Sequence, residues 1–210
     1  STAEEKMELL YRYHLLRDDV QNFVTAYGIV PRGTHDTYFH RAAADFAALN
    51  LPLREIVRAA AFVPAAEGCD VYIVENSGVF SSLLDALMTA RCCVPLLCLH
   101  GQPKLASWAL LDRLAASGAR LHYSGDYDPE GLAIAEKILR RYPDAHPWHY
   151  EAAAYAPRPS VRLTDTRLKQ LADVTSPALQ PAAAAIRQQK YAYYQESFAD
   201  QLAKDLLVRR

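Results

Sequence analysis

The sequence predicts an α/β fold: a Rossmann-like parallel sheet flanked by helices, with a helical N-terminal segment and a long C-terminal helix. Three observations predict it. Short apolar runs at residues 71–74 (VYIV) and 94–99 (VPLLCL) read as strands buried on both faces, and a third strand is expected at 120–124 (RLHYS). A helix-length segment follows each run. Acidic residues stand directly after the first and third runs, where parallel sheets place their chemistry. The alternation β-α-β-α-β-α-β makes right-handed crossovers the natural topology.

The elements follow in order. Residues 1–65 read as a helical N-terminal segment, a remnant of a larger arm. Met7, Leu9, Leu10, Tyr13 and Leu16 make an apolar stripe at helical spacing. A loop follows at 28–33. Helices are then expected at 38–49 and 53–62, split by Pro52 with Asn50 as a cap, and the abundant alanine supports them. A second unit, residues 66–210, carries the sheet. It reads as strand 71–74, helix 79–90, strand 94–99, helix 104–116 closed by Gly118, strand 120–124, helix 130–141 and a fourth strand at 146–150. Residues 155–185 are punctuated by proline, with a short helix at 165–172. Residues 181–207 read as one long helix with Ile186, Tyr193, Phe198, Leu202 and Leu206 as its contacts.

Composition narrows the function. At 51% hydrophobic and 22% charged residues, the chain has the make-up of a folded core and not of a disordered segment. Its 23 basic and 24 acidic side chains give a net charge of −1, which excludes nucleic-acid binding by bulk charge. Any such role must rest on a local site, a metal or a partner. No apolar run approaches the roughly 18 residues of a membrane span. The start, STAEEKMELL, is charged, has no signal core and does not begin with Met. The chain therefore reads as a fragment or processed form of a cytoplasmic protein. Cys69, Cys92, Cys93 and Cys98 form no C-x-x-C pair and are expected to be buried, reduced thiols.

The strand ends carry the chemistry. Glu75 closes the first strand, and the third runs into Gly125-Asp126-Tyr127-Asp128-Pro129-Glu130-Gly131. Glu75, Asp126 and Asp128 thus arrive at one rim, where three carboxylates repel one another unless a cation lies among them. Hard oxygen ligands of this kind suit Mg²⁺ or Mn²⁺. Asp128 has a second reading as the N-cap of the next helix, with Pro129 at that helix's first position. Glu130 either supports the metal site or is a first-turn acid favoured by the helix dipole. Asn76 and Ser77 in the turn after the first strand, and Gly101, Gln102 and Lys104 after the second, are candidate phosphate contacts. Tyr127 reads as a packing residue. His100, His122, His146 and His149 read as structural, and Tyr191, Tyr193 and Tyr194 as packing in preference to a base-stacking platform.

A strand ending in Glu followed by a later strand ending in Asp-x-Asp resembles the Toprim fold of topoisomerases, primases and several nucleases. The segments LPLREI (51–56), VYIVENSGVF (71–80), LHGQP (99–103) and LHYSGDYDPEGLAIA (121–135), with Tyr194-Gln195-Glu196 and Asp205-Leu206 near the end, resemble the JetD-like family. That family contains the nuclease of Wadjet plasmid-defence systems and is related to the topoisomerase VI A subunit. The resemblance covers roughly residues 45–210. It implies a Toprim-type, Mg²⁺- or Mn²⁺-dependent DNA endonuclease with Glu75, Asp126 and Asp128 as catalytic metal ligands, Asp126 bridging. Glu130 is a further metal candidate and Glu196 a possible accessory acid. The implied partners are plasmid DNA, SMC-like ATPase subunits and a second copy in a homodimer, with no membrane. No tyrosine stands in a winged-helix context, so water is the expected nucleophile. Two other classes compete: a Toprim-like module that binds metal and nucleic acid without cutting, and a small-molecule phosphatase or phosphotransferase. The second usually places its Asp-x-Asp after the first strand, not the third.

Overall fold

The structure, a computed structural model, describes residues 3–13, 15–16, 18–156 and 161–208. The chain forms α1 (Ala3–Arg12), β1 (Phe23–Tyr27), β2 (Ile29–Pro31), α2 (Tyr38–Ala44), β3 (Leu49–Pro52), α3 (Leu53–Arg58), β4 (Phe62–Pro64) and β5 (Asp70–Val74). It continues as α4 (Ser77–Ala90), β6 (Leu96–Cys98), α5 (Leu105–Ala116), β7 (Arg120–Ser124), α6 (Pro129–Arg141) and β8 (His146–Pro147). The last elements are α7 (Asp165–Lys169), α8 (Gln180–Gln189) and α9 (Ala199–Val208), with short 3₁₀ turns at Ala152–Ala154, Gln170–Asp173 and Gln195–Phe198.

The main sheet has the order β3-β1-β6-β5-β7-β8, and β2 pairs with β4 in a separate ribbon. Strands β6, β5, β7 and β8 run parallel, so the expected α/β class with helices flanking a largely parallel sheet holds. The central strands are buried: Val71, Ile73, Val74, Leu96, Leu97 and Cys98 are 0% exposed. Burial on both faces is the physical reason their sequences read as unbroken apolar runs. Leu83 and Leu87 of α4, Leu110, Leu111 and Leu114 of α5, and Ile134 and Ile138 of α6 pack into the same core.

The N-terminal expectation is corrected. Residues 1–65 contain four strands, and two of them extend the main sheet, so the sheet does not divide at residue 65. Strand β1 joins β6 in antiparallel fashion and β3 joins β1 likewise. Val24, Ala26 and Tyr27 are buried, and a short run buried on both faces has no period-two pattern to tell it from helix. Leu49 and Asn50 lie in β3, an edge strand that ends on Pro52, where proline is tolerated. Pro52, not Asn50, is the N-cap of α3. The stripe on α1 is also displaced. Met7 and Tyr11 pack on the core, while Leu9 and Tyr13 are exposed. The segment expected as a single helix over 181–207 is helical at both ends only. Lys190 takes a left-handed conformation (φ 63°) and closes α8. Tyr191 and Tyr193 then run extended to bridge Arg162 and Tyr127 before α9 begins. Strand β8 covers two residues instead of five. The four cysteines are free, with Cys98 buried and the other three half-buried. Among the described residues, no helix is long and apolar enough to cross a membrane.

One buried acid ties the C-terminal segment to the sheet. Glu136 of α6 accepts from Thr175 Oγ1 at 2.7 Å, the Ser176 amide at 3.0 Å and Arg140 at 3.2 Å. Burial pushes its carboxyl up, but these donors outweigh that and bring it down to about 2. A carboxyl held below its unfolded value of 4.5 contributes stability that is complete above pH 4.5 and is lost as pH falls towards 2. Glu136→Gln is expected to cost about 2 kcal/mol at pH 7 and to flatten the acid limb of the stability profile. Urea denaturation at pH 3 and pH 7 checks both, and equal pH slopes for parent and variant would refute them.

Candidate active site

The carboxyl ends of β5 and β7 are neighbours, because these strands pair directly in parallel from Asp70↔Arg120 to Val74↔Ser124. Glu75 leaves β5 and Asp126 leaves β7, one residue beyond Gly125, at the same rim. Glu75 Oε2 accepts from the Asp126 amide at 3.3 Å and from the Tyr123 hydroxyl at 3.4 Å. Asp126 Oδ1 accepts from the Gln195 amide at 2.7 Å. Among the described residues, Glu75 Oε1 and Asp126 Oδ2 have no hydrogen-bond partner.

Glycine is required in the turn between them. A Cβ on Gly125 would lie 2.5 Å from Tyr123 Oη, 2.7 Å from Glu75 Oε2 and 2.9 Å from Tyr150 Oη. A Cβ on Gly131 would strike the Asp126 carbonyl, so the first turn of α6 packs directly under the acidic loop. The loop is pinned from the other side by the Tyr127–Tyr193 bridge, with N···O distances of 2.9 and 3.2 Å. Tyr127 is fully buried among Tyr150, Tyr155, Tyr193 and Phe198, and Tyr193 shares that cluster. Both are packing residues, as expected.

The electrostatics are those of crowded, buried acids. Burial raises Asp126 to about 7; the Gln195 amide opposes this, and the charges of Glu75, Asp128 and Glu196 add to it. Burial likewise raises Glu75 against the Asp126 amide, with the charges of Asp128 and Glu196 contributing. Crowded carboxyl oxygens on two adjacent strands, both raised by burial and by one another's charge, are a hard ligand set that suits a divalent cation. Glu75 and Asp126 are the pair that fits one. Among the described residues, no group of three or more His, Cys, Asp or Glu side chains is arranged to hold a metal ion.

The other expected acids lie close by with different partners. Asp128 is the N-cap of α6, its Oδ1 accepting from the Gly131 amide at 2.8 Å, and its Oδ2 pairs with Arg167 at 2.7 Å. Glu130 pairs with the same guanidinium, which holds its carboxyl below the usual range. Glu196 accepts from Asn76 Nδ2 at 2.5 Å, while Asn76 Oδ1 caps α4 through the amides of Gly78 and Val79. Ser77 is exposed in the first turn of α4. Gly101 donates to the Glu75 carbonyl at 3.2 Å, and Gln102 is tied to Lys137 of α6. Lys104 is the N-cap of α5, lies over the Phe23 ring and lines a cleft of about 510 Å³ with His100, Gln102 and Asn22. Among the described residues, no ion pair links Lys104 to Glu75 or Asp126. The histidines have structural partners: Thr25 and Cys98 for His100, Asp70 for His122, Asp205 for His149 and the His122 ring for His146.

Two residues at this site, Gln195 and Arg167, are not among the expected site residues. Gln195 holds Asp126 through its amide and the Asn76 amide through Oε1, at 3.3 Å. It is fully buried, and its Nε2 has no partner. Arg167 arrives from α7. Each belongs to a segment distant in sequence: Gln195 stands in the Tyr194-Gln195-Glu196 motif but no pattern assigns it to Asp126, and no local pattern points to Arg167.

No curated protein matches this chain. A model of the family described as "Protein of unknown function C-terminus" (DUF2399) matches residues 49–206, from β3 into α9. That match spans most of the chain, including both acid-bearing strands, and the protein belongs to the DUF2399 family.

Proposed function

We propose that this chain is a Toprim-type, metal-dependent phosphodiesterase that cuts DNA. The observation that carries the reading is the placing of Glu75 and Asp126 on adjacent parallel strand ends, each with an oxygen that has no hydrogen-bond partner among the described residues. Mg²⁺ or Mn²⁺ bound there would supply Lewis acidity and an activated water at the scissile phosphate. The protein's own part is to hold and aim the ligands. Gly125 gives the close approach of the two acids, Gln195 fixes Asp126, and Asn76 holds Glu196 beside them. The resemblance to the JetD-like family supports a narrower role, the nuclease subunit of a Wadjet-like, SMC-associated plasmid-defence system working as a homodimer. A net charge of −1 fits a nuclease whose DNA is delivered by partner subunits.

The test is relaxation and linearisation of supercoiled plasmid with Mg²⁺ or Mn²⁺, by the full-length protein with its partner subunits. The expected result is metal-dependent cutting that falls by about 10³-fold or more in Glu75→Ala. Cutting that survives the substitution would refute the assignment. Binding of metal and DNA with no cutting would identify a binding module instead.

A further inference from the structure

We propose that Arg167 takes the place of a second metal ion, so that this site holds a single divalent cation, between Glu75 and Asp126. The inference rests on the reading of the site as a metal centre and specifies its occupancy. It follows from where each carboxylate oxygen is spent. Both oxygens of Asp128 are engaged, one by the Gly131 amide at 2.8 Å and the other by Arg167 Nη2 at 2.7 Å. Both oxygens of Glu130 face the same guanidinium, with Nε to Oε1 at 3.1 Å. Glu75 and Asp126 each keep one oxygen without a partner among the described residues.

Arg167 is suited to this place. A guanidinium stays protonated at any working pH, and its planar fork spans two carboxylates at once. The Asp128 side chain is only 8% exposed, so its charge needs a counter-charge supplied from within the fold. An incoming ion would have to displace the guanidinium from two acids and also compete with the helix cap. The backbone that carries Arg167 is itself anchored. Thr164 Oγ1 caps α7 by accepting from the Arg167 amide, the next turn buries Leu171 completely, and Arg187 donates to the Leu171 carbonyl at 2.6 Å. Arg167 is thus a positioning residue. It neutralises Asp128 and Glu130 beside the Asp126 loop, while Asp128 Oδ1 keeps the helix cap.

The experiment counts Mn²⁺ bound to the full chain by calorimetry and by electron paramagnetic resonance, with circular dichroism as a folding check. The parent is expected to bind one ion and Arg167→Gln two. Asp128→Asn preserves the helix cap, because asparagine also caps helices, so it tests the assignment even where Arg167→Gln fails to fold. It is expected to leave the single Mn²⁺ affinity within about 2-fold, while Asp126→Asn lowers it by on the order of 100-fold. Two ions in the parent, or one ion in a folded Arg167→Gln, would overturn the proposal. So would a loss in Asp128→Asn as large as that in Asp126→Asn. No ion in the parent would overturn the metal reading itself, which separates that failure from the failure of the Arg167 assignment.

Discussion

Asp126→Asn is expected to stabilise the metal-free protein while removing the proposed metal-dependent cleavage. Asp126 is a half-buried acid whose carboxyl is raised from 3.8 to about 7, first by burial, against the Gln195 amide, and then by the charges of Glu75, Asp128 and Glu196. An acid with a raised folded-state value holds its extra proton in the native state. Stability therefore falls as pH rises from about 4 to about 7, as the folded protein is forced to ionise it. Asparagine has no such cost and can still accept the Gln195 amide. Above pH 7, without divalent ions, the variant is expected to exceed the parent by on the order of 2–4 kcal/mol. With the proposed metal site, the order is expected to reverse at saturating Mn²⁺, which would stabilise the parent more than the variant. Plasmid cleavage is expected to fall by about 10³-fold or more. Thermal melts at pH 5 and pH 8, each with and without Mn²⁺, check the sign. A variant less stable than the parent at pH 8 without metal would refute the account of crowded, uncompensated acids.

Gly125→Ala is the second large effect. The added methyl would meet Tyr123 Oη, Tyr150 Oη and Glu75 Oε2 at 2.5–2.9 Å. Neither tyrosine can yield easily, since both are 1% exposed and Tyr150 donates to the Asp126 carbonyl at 3.3 Å. Overpacking of this kind costs about 1–3 kcal/mol, and relief by moving Glu75 dismantles the acid pair. The variant is expected to lose both stability and Mn²⁺ binding. Urea denaturation and Mn²⁺ titration read the two effects, and unchanged values in both would show that the turn has room for a side chain.

The strands and the acids were legible for different reasons. Strands β5 and β6 are buried on both faces, and that burial writes itself as VYIV and LLC between helix-length segments, while β7 buries Leu121, Tyr123 and Ser124. Glu75 and Asp126 were legible because an ionisable group straight after a buried strand must emerge at the sheet's rim. The double reading of Asp128 could not be resolved in the sequence, because a cap and a metal ligand demand the same residue type there. The structure gives it the cap and an arginine partner.

The sequence by itself determined the parallel centre of the sheet, its alternation with helices and the rim on which the acids gather, since these depend on local periodicity and chain order. The tertiary structure alone decided the antiparallel addition of β1 and β3, the break at Lys190, and the arrival of Gln195 and Arg167 at the acids. Those features arise from pairings between distant segments. Strand β1 is a short apolar run whose pairing is set only when β6 offers it an edge, and residues 191–193 leave the helical path because Tyr127 and Arg162 offer backbone partners. Hydrogen bonds of that kind are set by which surfaces meet in the fold, and no window of sequence contains both sides of them.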